Sequence, residues 1–442
     1  MTAFGSPIRV LFPPARIAAC RAFTRPSLAA IGDDPAVKAK ELIEIEAARE
    51  LVLARCPALG TEAVPLRSAE GRVLAERAAS RVDVPGFDNS AMDGFALRAT
   101  DSSGAGPNGG VSLRIVGESR AGHPADAGPA AGEAIAISTG AMVPEGADAV
   151  IRVEDTERDG DTVLVRAEVE PGASIRRSGE DVAAGAPLVE PGTILRAAEL
   201  GALAAGGIAE PVCSSRPRVS VLLTGDELVE PDRELQPGQI HDSNAYAVPP
   251  LATSCGAQID LIEVIGDDCG STTSAIERGL EGDVVVICGG VSVGEHDHVR
   301  PALEALGVEQ VFWGVSLRPG KPTYFGVAPS GALVFGLPGN PVSAMVTFTL
   351  FARPALLAMQ GADPGGRSIV ARLSTAYTKV RGRAEAIRVA VTAGPAGWEI
   401  EPTGPQGSHV LTSMLGADGL AFAPSALVEL EAGTELRVEL LR

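Results

Sequence analysis

Strands and helices alternate along residues 216–361, and this alternation restricts the possible fold more than any other feature of the chain. Short apolar runs bounded by turn residues predict buried strands, and the longer periodic stretches between them predict helices. Parallel strands joined by helices form a sheet that is covered on both faces. We therefore predict a doubly wound α/β domain, with strands at 219–223, 259–264, 284–287, 311–315, 323–327 and 333–335 and helices at 244–254, 272–282, 299–306 and 341–359.

Three acids follow successive predicted strands of this domain, at the edge where parallel sheets place their binding residues. They are Glu227, Asp267 and Asp297, and Arg318 with Lys321 follows a fourth strand. Each acid alone is more often a helix cap or a solvated turn residue. Together, beside the amides of a glycine-rich turn, they predict a site for Mg²⁺ and a phosphate group.

Two further runs carry dense polar side chains without a helical or strand period. Residues 84–96 include two acids, an amide and a hydroxyl beside Met92 and Phe95, and residues 176–182 are highly charged. A turn at a domain boundary and a charged linker are the plain interpretations. The alternative for residues 84–96 is a loop that contacts a ligand or a second chain.

The pattern outside residues 216–361 predicts further domains. Residues 1–35 contain arginine without acids until Asp33, which favours a disordered extension, a start placed too early or a transit-like segment. Residues 36–80 and 175–215 are predicted to form a helical linker domain, and residues 81–174 a β-rich module inserted into it. Residues 362–442 predict a small C-terminal β-barrel. The fold class is thus α/β plus β and multidomain.

Composition excludes some functions. The formal net charge of −19 argues against nucleic-acid binding, which requires neutralised phosphates. From the sequence, we expect no apolar run to approach the length of a membrane span. Six cysteines without metal-ligand or disulfide spacing favour free thiols and a cytoplasmic location.

Taken together, the motifs resemble the molybdopterin molybdenumtransferases, a family that includes the gephyrin E domain. The matching segments are residues 85–96, 139–140, 143–146, 178–182, 224–228, 289–297, 319–322, 336–343 and 406–409. The resemblance implies a homodimer with an active site across the subunit interface, and an upstream molybdopterin adenylyltransferase as a further partner. The implied reaction inserts molybdate into adenylylated molybdopterin with release of AMP, and it requires Mg²⁺.

The resemblance also implies roles for individual residues of this chain. Catalytic roles would fall to Asp93, Thr139, Asp181, Glu227, Asp267 and Asp297, of which the last three would also bind the metal. Substrate and molybdate would be bound by Gly289, Gly290, Ser292, Arg318, Lys321, Pro322, Arg388 and Ser408. A tetrahedral dianion requires such cations and hydroxyl or amide donors.

Two positions depart from the family pattern. Gly314 stands where many members have lysine, and Arg318 replaces a common lysine, which keeps the charge but changes its geometry. These departures leave open a tungstate-selective paralogue. A second alternative is a scaffold protein that keeps the fold and binds molybdopterin without turnover.

Overall fold

The computed structural model describes residues 42–106, 109–291, 297–395 and 397–441. The predicted N-terminal extension and the predicted substrate residue Ser292 lie outside these residues. In the N-terminal half the elements are α1 (Ile45–Leu53), β1 (Thr61–Ala63), β2 (Ala78–Ala79), β3 (Asn89–Ser90), β4 (Gly94–Leu97), β5 (Val111–Ser119), β6 (Glu133–Ile137), β7 (Ala149–Arg152), β8 (Thr156–Asp159), β9 (Thr162–Val165), β10 (Ile175–Arg176), β11 (Pro187–Val189), α2 (Ala197–Ala205) and β12 (Val212–Ser214).

The C-terminal half continues with alternating strands and helices and then with strands alone. Its elements are β13 (Arg218–Thr224), β14 (Leu228–Val229), β15 (Ile240–His241), α3 (Asn244–Ser254), β16 (Gln258–Ile265), α4 (Cys269–Gly279), β17 (Val284–Cys288), α5 (Val299–Ala305), β18 (Glu309–Trp313), β19 (Leu317–Arg318), β20 (Tyr324–Val327), β21 (Leu333–Leu337), α6 (Pro341–Thr347), α7 (Arg353–Met359), β22 (Ser368–Leu373), β23 (Tyr377–Thr378), β24 (Ala384–Gly394), β25 (Gly397–Pro402), β26 (Gly419–Ala423), β27 (Glu429–Leu430) and β28 (Glu435–Leu440).

The α/β region contains a six-stranded sheet in the order β16-β13-β17-β21-β20-β18. The four strands β16, β13, β17 and β21 run parallel, and β20 runs antiparallel to both of its neighbours. Side chains of β17 alternate between two cores: Val284 and Val286 pack with α3 and α6, whereas Val285 and Ile287 pack with α4 and α5. Helices therefore cover both faces of the sheet, as predicted.

The fourth predicted strand does not lie beside the other three. β18 is an edge strand, separated from β17 by β21 and β20. Because β18 is antiparallel to β20 and β20 is antiparallel to β21, β18 still ends at the same sheet edge as the strands that precede the acids. Arg318 follows it in β19, which pairs with the barrel strand β24. The order of the strands could not be predicted, because periodicity identifies a strand but not its neighbours, which long-range pairing determines.

The predicted helical linker contains short strand pairs as well as helices. In the parts of residues 36–80 and 175–215 that the structure describes, α1 and α2 are the α-helices, and short antiparallel pairs join β1 to β12 and β2 to β11. Helix α1 also packs into the α/β core through Ile45, Ala48 and Val52. Short helices need tertiary packing to be stable, so only α1 and α2 persist in these glycine- and proline-rich stretches.

Both predicted β regions form sheets. The inserted module is a six-stranded sheet in the order β7-β4-β6-β5-β9-β8. The C-terminal region is a closed barrel of five strands, in which β22 pairs with β25 and β28 while β24 pairs with β25 and β26. The predicted C-terminal barrel is confirmed.

One helical run, Pro341–Met359, is long and apolar enough to cross a membrane by composition. It consists of α6, a π-helical turn at Phe348–Ala352, and α7. Within the fold, 83% of its apolar window is buried, and its side chains belong to the main α/β core. The expectation that no run reaches this length was wrong, but the burial is that of a core helix.

Candidate functional site

The turn after β17 requires glycine at both Gly289 and Gly290. Their φ angles are +93° and +61°, a region that other residues rarely adopt. A Cβ atom on Gly289 would lie 2.6 Å from the Thr224 hydroxyl oxygen, and one on Gly290 would lie 2.6 Å from a methyl carbon of Val299. The loop after β17 therefore packs directly on the end of β13.

The loops after β13 and β16 are joined by their acids. The amide of Asp267 donates to the Asp226 carboxylate at 3.1 Å, and the amide of Asp226 donates to the Asp267 carboxylate at 3.4 Å. The Glu227 carboxylate lies over Gly225, where a Cβ atom would approach it to 2.4 Å. Asp297 lies two residues before α5, between β17 and this helix. The predicted acids thus lie at the carboxyl ends of three adjacent strands.

The structure adds Asp242 and Asn244, which the sequence analysis did not select. Asp242 is buried, and its Oδ1 accepts from the amides of Asn244 and Ala245 at the start of α3. Its Oδ2 and the Asn244 Oδ1 are buried without a hydrogen-bond partner among the described residues. Burial raises the pKa of Asp242. Two acceptor oxygens without donors indicate a site for a cation or a ligand donor.

These oxygens lie close to the glycine turn. The Asn244 side-chain amide donates to the carbonyl of Gly339 at 2.8 Å, and a Cβ atom on Gly339 would lie 3.6 Å from the Cα atom of Gly289. The sequence signal was ambiguous, because an acid two residues before a helix usually serves as a cap. Only its burial distinguishes Asp242 from an ordinary capping residue.

The oxygen donors of this site fit Mg²⁺, which also binds water and substrate, better than they fit a metal that is held by protein side chains alone. Across the described part of the chain, no three His, Cys, Asp or Glu side chains form a metal-binding group. Metal binding by Glu227, Asp267 and Asp297 stays a prediction. Mg²⁺ retains waters and usually takes one or two carboxylates plus substrate phosphates. The bare oxygens of Asp242 and Asn244 suit that coordination.

Trp313 anchors the start of the loop that follows the glycine turn. Its indole nitrogen donates to the carbonyl of Val291 at 2.7 Å, and the Arg300 guanidinium lies 5.2 Å from the ring centroid. Val291 is itself buried against the sheet. Trp313 therefore fixes where the backbone leaves the sheet edge.

We expect Trp313→Phe to lower the free energy of unfolding by about 1 to 2 kcal/mol, because the Val291 carbonyl loses its donor while the apolar contact remains. Chemical denaturation followed by circular dichroism measures this change. The other tryptophan of the chain, Trp398, is exposed, and Trp398→Phe is the matched control. Equal stability of the two variants would contradict an anchoring role for Trp313.

Asp93 and Thr139 are hydrogen-bonded to each other in the β module. The Thr139 amide and hydroxyl both donate to the Asp93 Oδ1 atom, at 2.7 Å and 3.1 Å. No hydrogen bond or ion pair of the described chain links this pair to Glu227 or Asp267. Met92 and Met142, near this pair in sequence, are exposed.

The two polar runs of the sequence analysis form one structural unit. Asp88 accepts from the Ser178 amide at 2.8 Å and from the Arg177 guanidinium at 2.6 Å, and these contacts lower the pKa of Asp88. The Asp181 amide donates to the carbonyl of Val84. The loop after residue 84 and the segment at 176–182 are therefore held together, and Asp181 lies at their junction.

The segment directly after β19 is called the cationic loop. It comes a few residues after Gly314, one of the two positions that depart from the family pattern. Gly314 has a φ of +90°, and a Cβ atom there would lie 3.0 Å from a methyl carbon of Leu42, so this backbone disfavours lysine. Lys321 is exposed and Pro322 is partly exposed beside it. Arg318 is half-buried, in register with Glu385 of the barrel. No hydrogen bond of the described residues joins Arg318 or Lys321 to Glu227 or Asp267.

Arg388 is fully buried and satisfied by the protein itself. Its guanidinium donates to Ser413 Oγ at 3.2 Å, to the Gly407 carbonyl at 3.3 Å and to the Ala386 carbonyl at 3.4 Å. Its backbone bonds to the Gln406 side chain at 2.8 Å. Arg388 therefore holds the loop that presents Ser408.

Three family models match successive parts of the chain. They are the MoeA N-terminal region (domain I and II) at residues 43–207, the probable molybdopterin binding domain at residues 220–358, and the MoeA C-terminal region (domain IV) at residues 370–441. Their order reproduces the observed fold, in which the α/β sheet precedes the barrel.

Relatives match over almost the whole chain. Molybdopterin molybdenumtransferase 2 of Mycobacterium tuberculosis H37Rv is 40% identical over 384 residues, covering 85% of this chain and 94% of that protein. Molybdopterin molybdenumtransferase of Haemophilus influenzae is 35% identical over 406 residues, covering 90% and 98%. The molybdopterin biosynthesis MoeA protein of Pyrococcus horikoshii superposes with a TM-score of 0.75 at 36% identity, covering 91% and 100%. The chain belongs to the molybdopterin molybdenumtransferase family, as the motifs predicted.

Proposed function

We propose that this chain is a Mg²⁺-dependent transferase that inserts molybdate into adenylylated molybdopterin and releases AMP. The observation that carries the proposal is the pair of bare, buried oxygens of Asp242 and Asn244 beside the Gly289–Gly290 turn. Backbone amides of a glycine turn bind phosphate, and acidic oxygens beside them bind its cation. The site is thus suited to a phosphoanhydride.

Mg²⁺, when bound, would offset phosphate charge and polarise the phosphoanhydride. Asp242 and Asn244 would hold it, with Glu227, Asp267 and Asp297 around the nucleotide. Gly289 and Gly290 would line the phosphate side. The geometry favours a mechanism in which this rigid sheet edge positions the substrate. Release of AMP would then be the step that makes the reaction favourable.

The oxyanion would be bound where the cationic loop meets the barrel. Arg318 ends strand β19, Lys321 and Pro322 belong to the loop after it, and Ser408 belongs to the loop that Arg388 holds. In an acidic protein of net charge −19, this cationic region provides a local attraction for a dianion. Arg388 then contributes chiefly by positioning the loop that presents Ser408.

A homodimer would complete the site. Asp93, Thr139 and Asp181 lie in and beside the β module, without described hydrogen bonds to the acids of the sheet edge. The exposed apolar side chains of Phe87, Met92 and Met142 near them suit a contact with a second copy. We also propose that the protein is cytoplasmic and that a molybdopterin adenylyltransferase delivers its substrate.

The experiment is an AMP-release assay with purified full-length chain, adenylylated molybdopterin and molybdate, with and without Mg²⁺. We expect release that requires both molybdate and Mg²⁺. Folded protein that binds the nucleotide without releasing AMP would overturn the transferase and favour a scaffold. A parallel reaction with tungstate tests the alternative that the chain is a tungstate-selective paralogue. A clear preference for tungstate would show that tungstate, and not molybdate, is the substrate.

A further inference from the structure

One arginine, Arg49, joins helix α1 both to the core helix of the α/β domain and to the last strand of the barrel. Its Nε atom donates to the carbonyl of Leu350 at 3.0 Å. Its two terminal nitrogens contact the two carboxylate oxygens of Glu439, at 2.6 Å and 2.7 Å. The proposed function uses neither Arg49 nor Glu439, although their contacts connect three parts of the chain.

The contact with Leu350 follows from the sequence of the core helix. In an α-helix the carbonyl of Leu350 would accept from the amide four residues later, which belongs to Pro354. Proline has no amide hydrogen, and the chain here forms the π-helical turn Phe348–Ala352. The Arg49 guanidinium therefore supplies a donor to a buried residue whose α-helical donor is missing.

The ion pair between Arg49 and Glu439 is largely removed from solvent. The exposed fractions of the two side chains are 13% and 5%. Two parallel hydrogen bonds between a guanidinium and a carboxylate fix the angle as well as the distance between their segments. A buried ion pair adds little net stability, because removing both charges from water is costly. The pair is therefore better explained as a contact that specifies one arrangement of the segments that it joins.

Glu439 and Arg388 lie in one row across three neighbouring strands of the barrel. Glu439 of β28 is paired with Leu420 of β26, and Leu420 is paired with Arg388 of β24. Directly paired residues of antiparallel strands point to the same face of a sheet. Because Leu420 packs in the α/β core, this row lies on the face of the barrel that contacts the α/β domain.

The row ends at the loop that presents Ser408. Arg388 donates to the carbonyl of Gly407 in this loop at 3.3 Å. The same strand, β24, pairs with β19, which directly precedes the cationic loop. A change in how the barrel sits on the α/β domain would therefore disturb the loops of the proposed oxyanion site.

We propose that Arg49 is a positioning residue of the oxyanion site. By joining Glu439 to the carbonyl of Leu350, it fixes one arrangement of the barrel against the α/β domain. This arrangement holds the loop of Ser408 in the position that binds the anion. The inference rests on the proposed function, because it assigns an effect on the oxyanion site to a side chain that does not touch the anion.

Arg49→Met tests this inference, because methionine keeps an apolar side chain in α1 and removes every contact to Leu350 and Glu439. Hydrogen–deuterium exchange on the full chain without ligand measures how firmly the loop at residues 404–410 is held. Isothermal titration calorimetry with molybdate measures the affinity for the anion. We expect exchange in the loop to be about tenfold faster, and molybdate to bind about tenfold more weakly.

The pattern of exchange distinguishes positioning from general stabilisation. Loss of stability alone would accelerate exchange throughout the barrel, including β22, and would leave the affinity for molybdate unchanged. That result would overturn the inference, and so would wild-type exchange in the loop. Glu439→Gln removes the charge of the other partner and should reproduce the effects of Arg49→Met, so it decides the matter if Arg49→Met does not fold.

Arg55→Met is the matched control. Arg55 lies just after α1, and its exposed ion pair with Glu309 connects this region to the α/β sheet and not to the barrel. The variant should leave both loop exchange and molybdate affinity at wild-type values. Changes as large as those in Arg49→Met would contradict a specific role for the contact with the barrel.

The readouts separate this inference from the proposed function. If the wild-type chain binds molybdate but releases no AMP, the transferase proposal fails alone, and the comparison of affinities still decides the role of Arg49. If the chain releases AMP and Arg49→Met retains wild-type loop exchange and affinity, the positioning role fails alone.

Discussion

Replacing Asp242 with asparagine is expected to lower the rate of AMP release by about 100-fold, the size of effect that follows loss of one preorganised electrostatic contact. The Oδ1 atom of asparagine can still accept from the amides of Asn244 and Ala245, so the start of α3 keeps its cap. Only the bare Oδ2 acceptor is replaced. We therefore expect a free energy of unfolding within about 0.5 kcal/mol of the wild-type value.

Asp242→Ala separates the structural role from the functional one. Alanine removes the cap as well as the bare oxygen, so stability should fall by about 1 kcal/mol. The AMP-release rate should fall as far as in Asp242→Asn. Single-turnover AMP release and chemical denaturation, run on both variants, measure the two effects. A normal rate in Asp242→Asn would show that the residue is a cap and nothing more.

The pH dependence of Mg²⁺ binding gives an independent check. Burial raises the pKa of Asp242, so protons compete for this carboxylate at a higher pH than at an exposed one. Mg²⁺ affinity measured by calorimetry should weaken as the pH falls through the raised pKa, and Asp242→Asn should lose this dependence. The stability contribution has the opposite sign, because the folded state binds more protons between the unfolded and folded pKa values, so acidification across that window is stabilising.

Arg388→Met is expected to lower the free energy of unfolding by about 3 kcal/mol. The substitution removes the guanidinium hydrogen bonds to Ser413 Oγ and to the carbonyls of Gly407 and Ala386. It also removes a buried cation, whose pKa is lowered by that burial. We expect the lost hydrogen bonds to outweigh the gain from removing the buried charge, because the guanidinium holds the loop that presents Ser408.

The control for Arg388→Met is the same substitution at Arg372, an arginine of the barrel that lies largely in solvent and pairs with Glu435. Arg372→Met should cost less than about 1 kcal/mol, as exposed ion pairs contribute little. Denaturation midpoints and molybdate calorimetry measure both variants. Intact stability with lost molybdate binding in Arg388→Met would assign the guanidinium directly to the anion, as the resemblance implied.

Local patterns were sufficient where a residue's role depends on its own segment. Helix α3 was predicted with the bounds that the structure shows, Asn244–Ser254, and the strand β17 with its glycine turn was placed within one residue. The acids Glu227 and Asp267 follow strands that the apolar pattern identified, so their position at the carboxyl edge could be predicted. These features depend on periodicity and turn chemistry, which neighbouring residues encode.

The sequence by itself determined the order of strands and helices, the glycine turn and the family. Only the tertiary structure decided which side chains are buried and bare. In the sequence, Asp242 looks like an ordinary helix cap and Glu385 is one acid among many. In the folded structure, one carboxylate oxygen of each is buried without a hydrogen-bond partner among the described residues. Strand pairing carries Arg318 from the α/β sheet to the barrel. Burial and long-range pairing arise from contacts between distant segments, so no local pattern contains them.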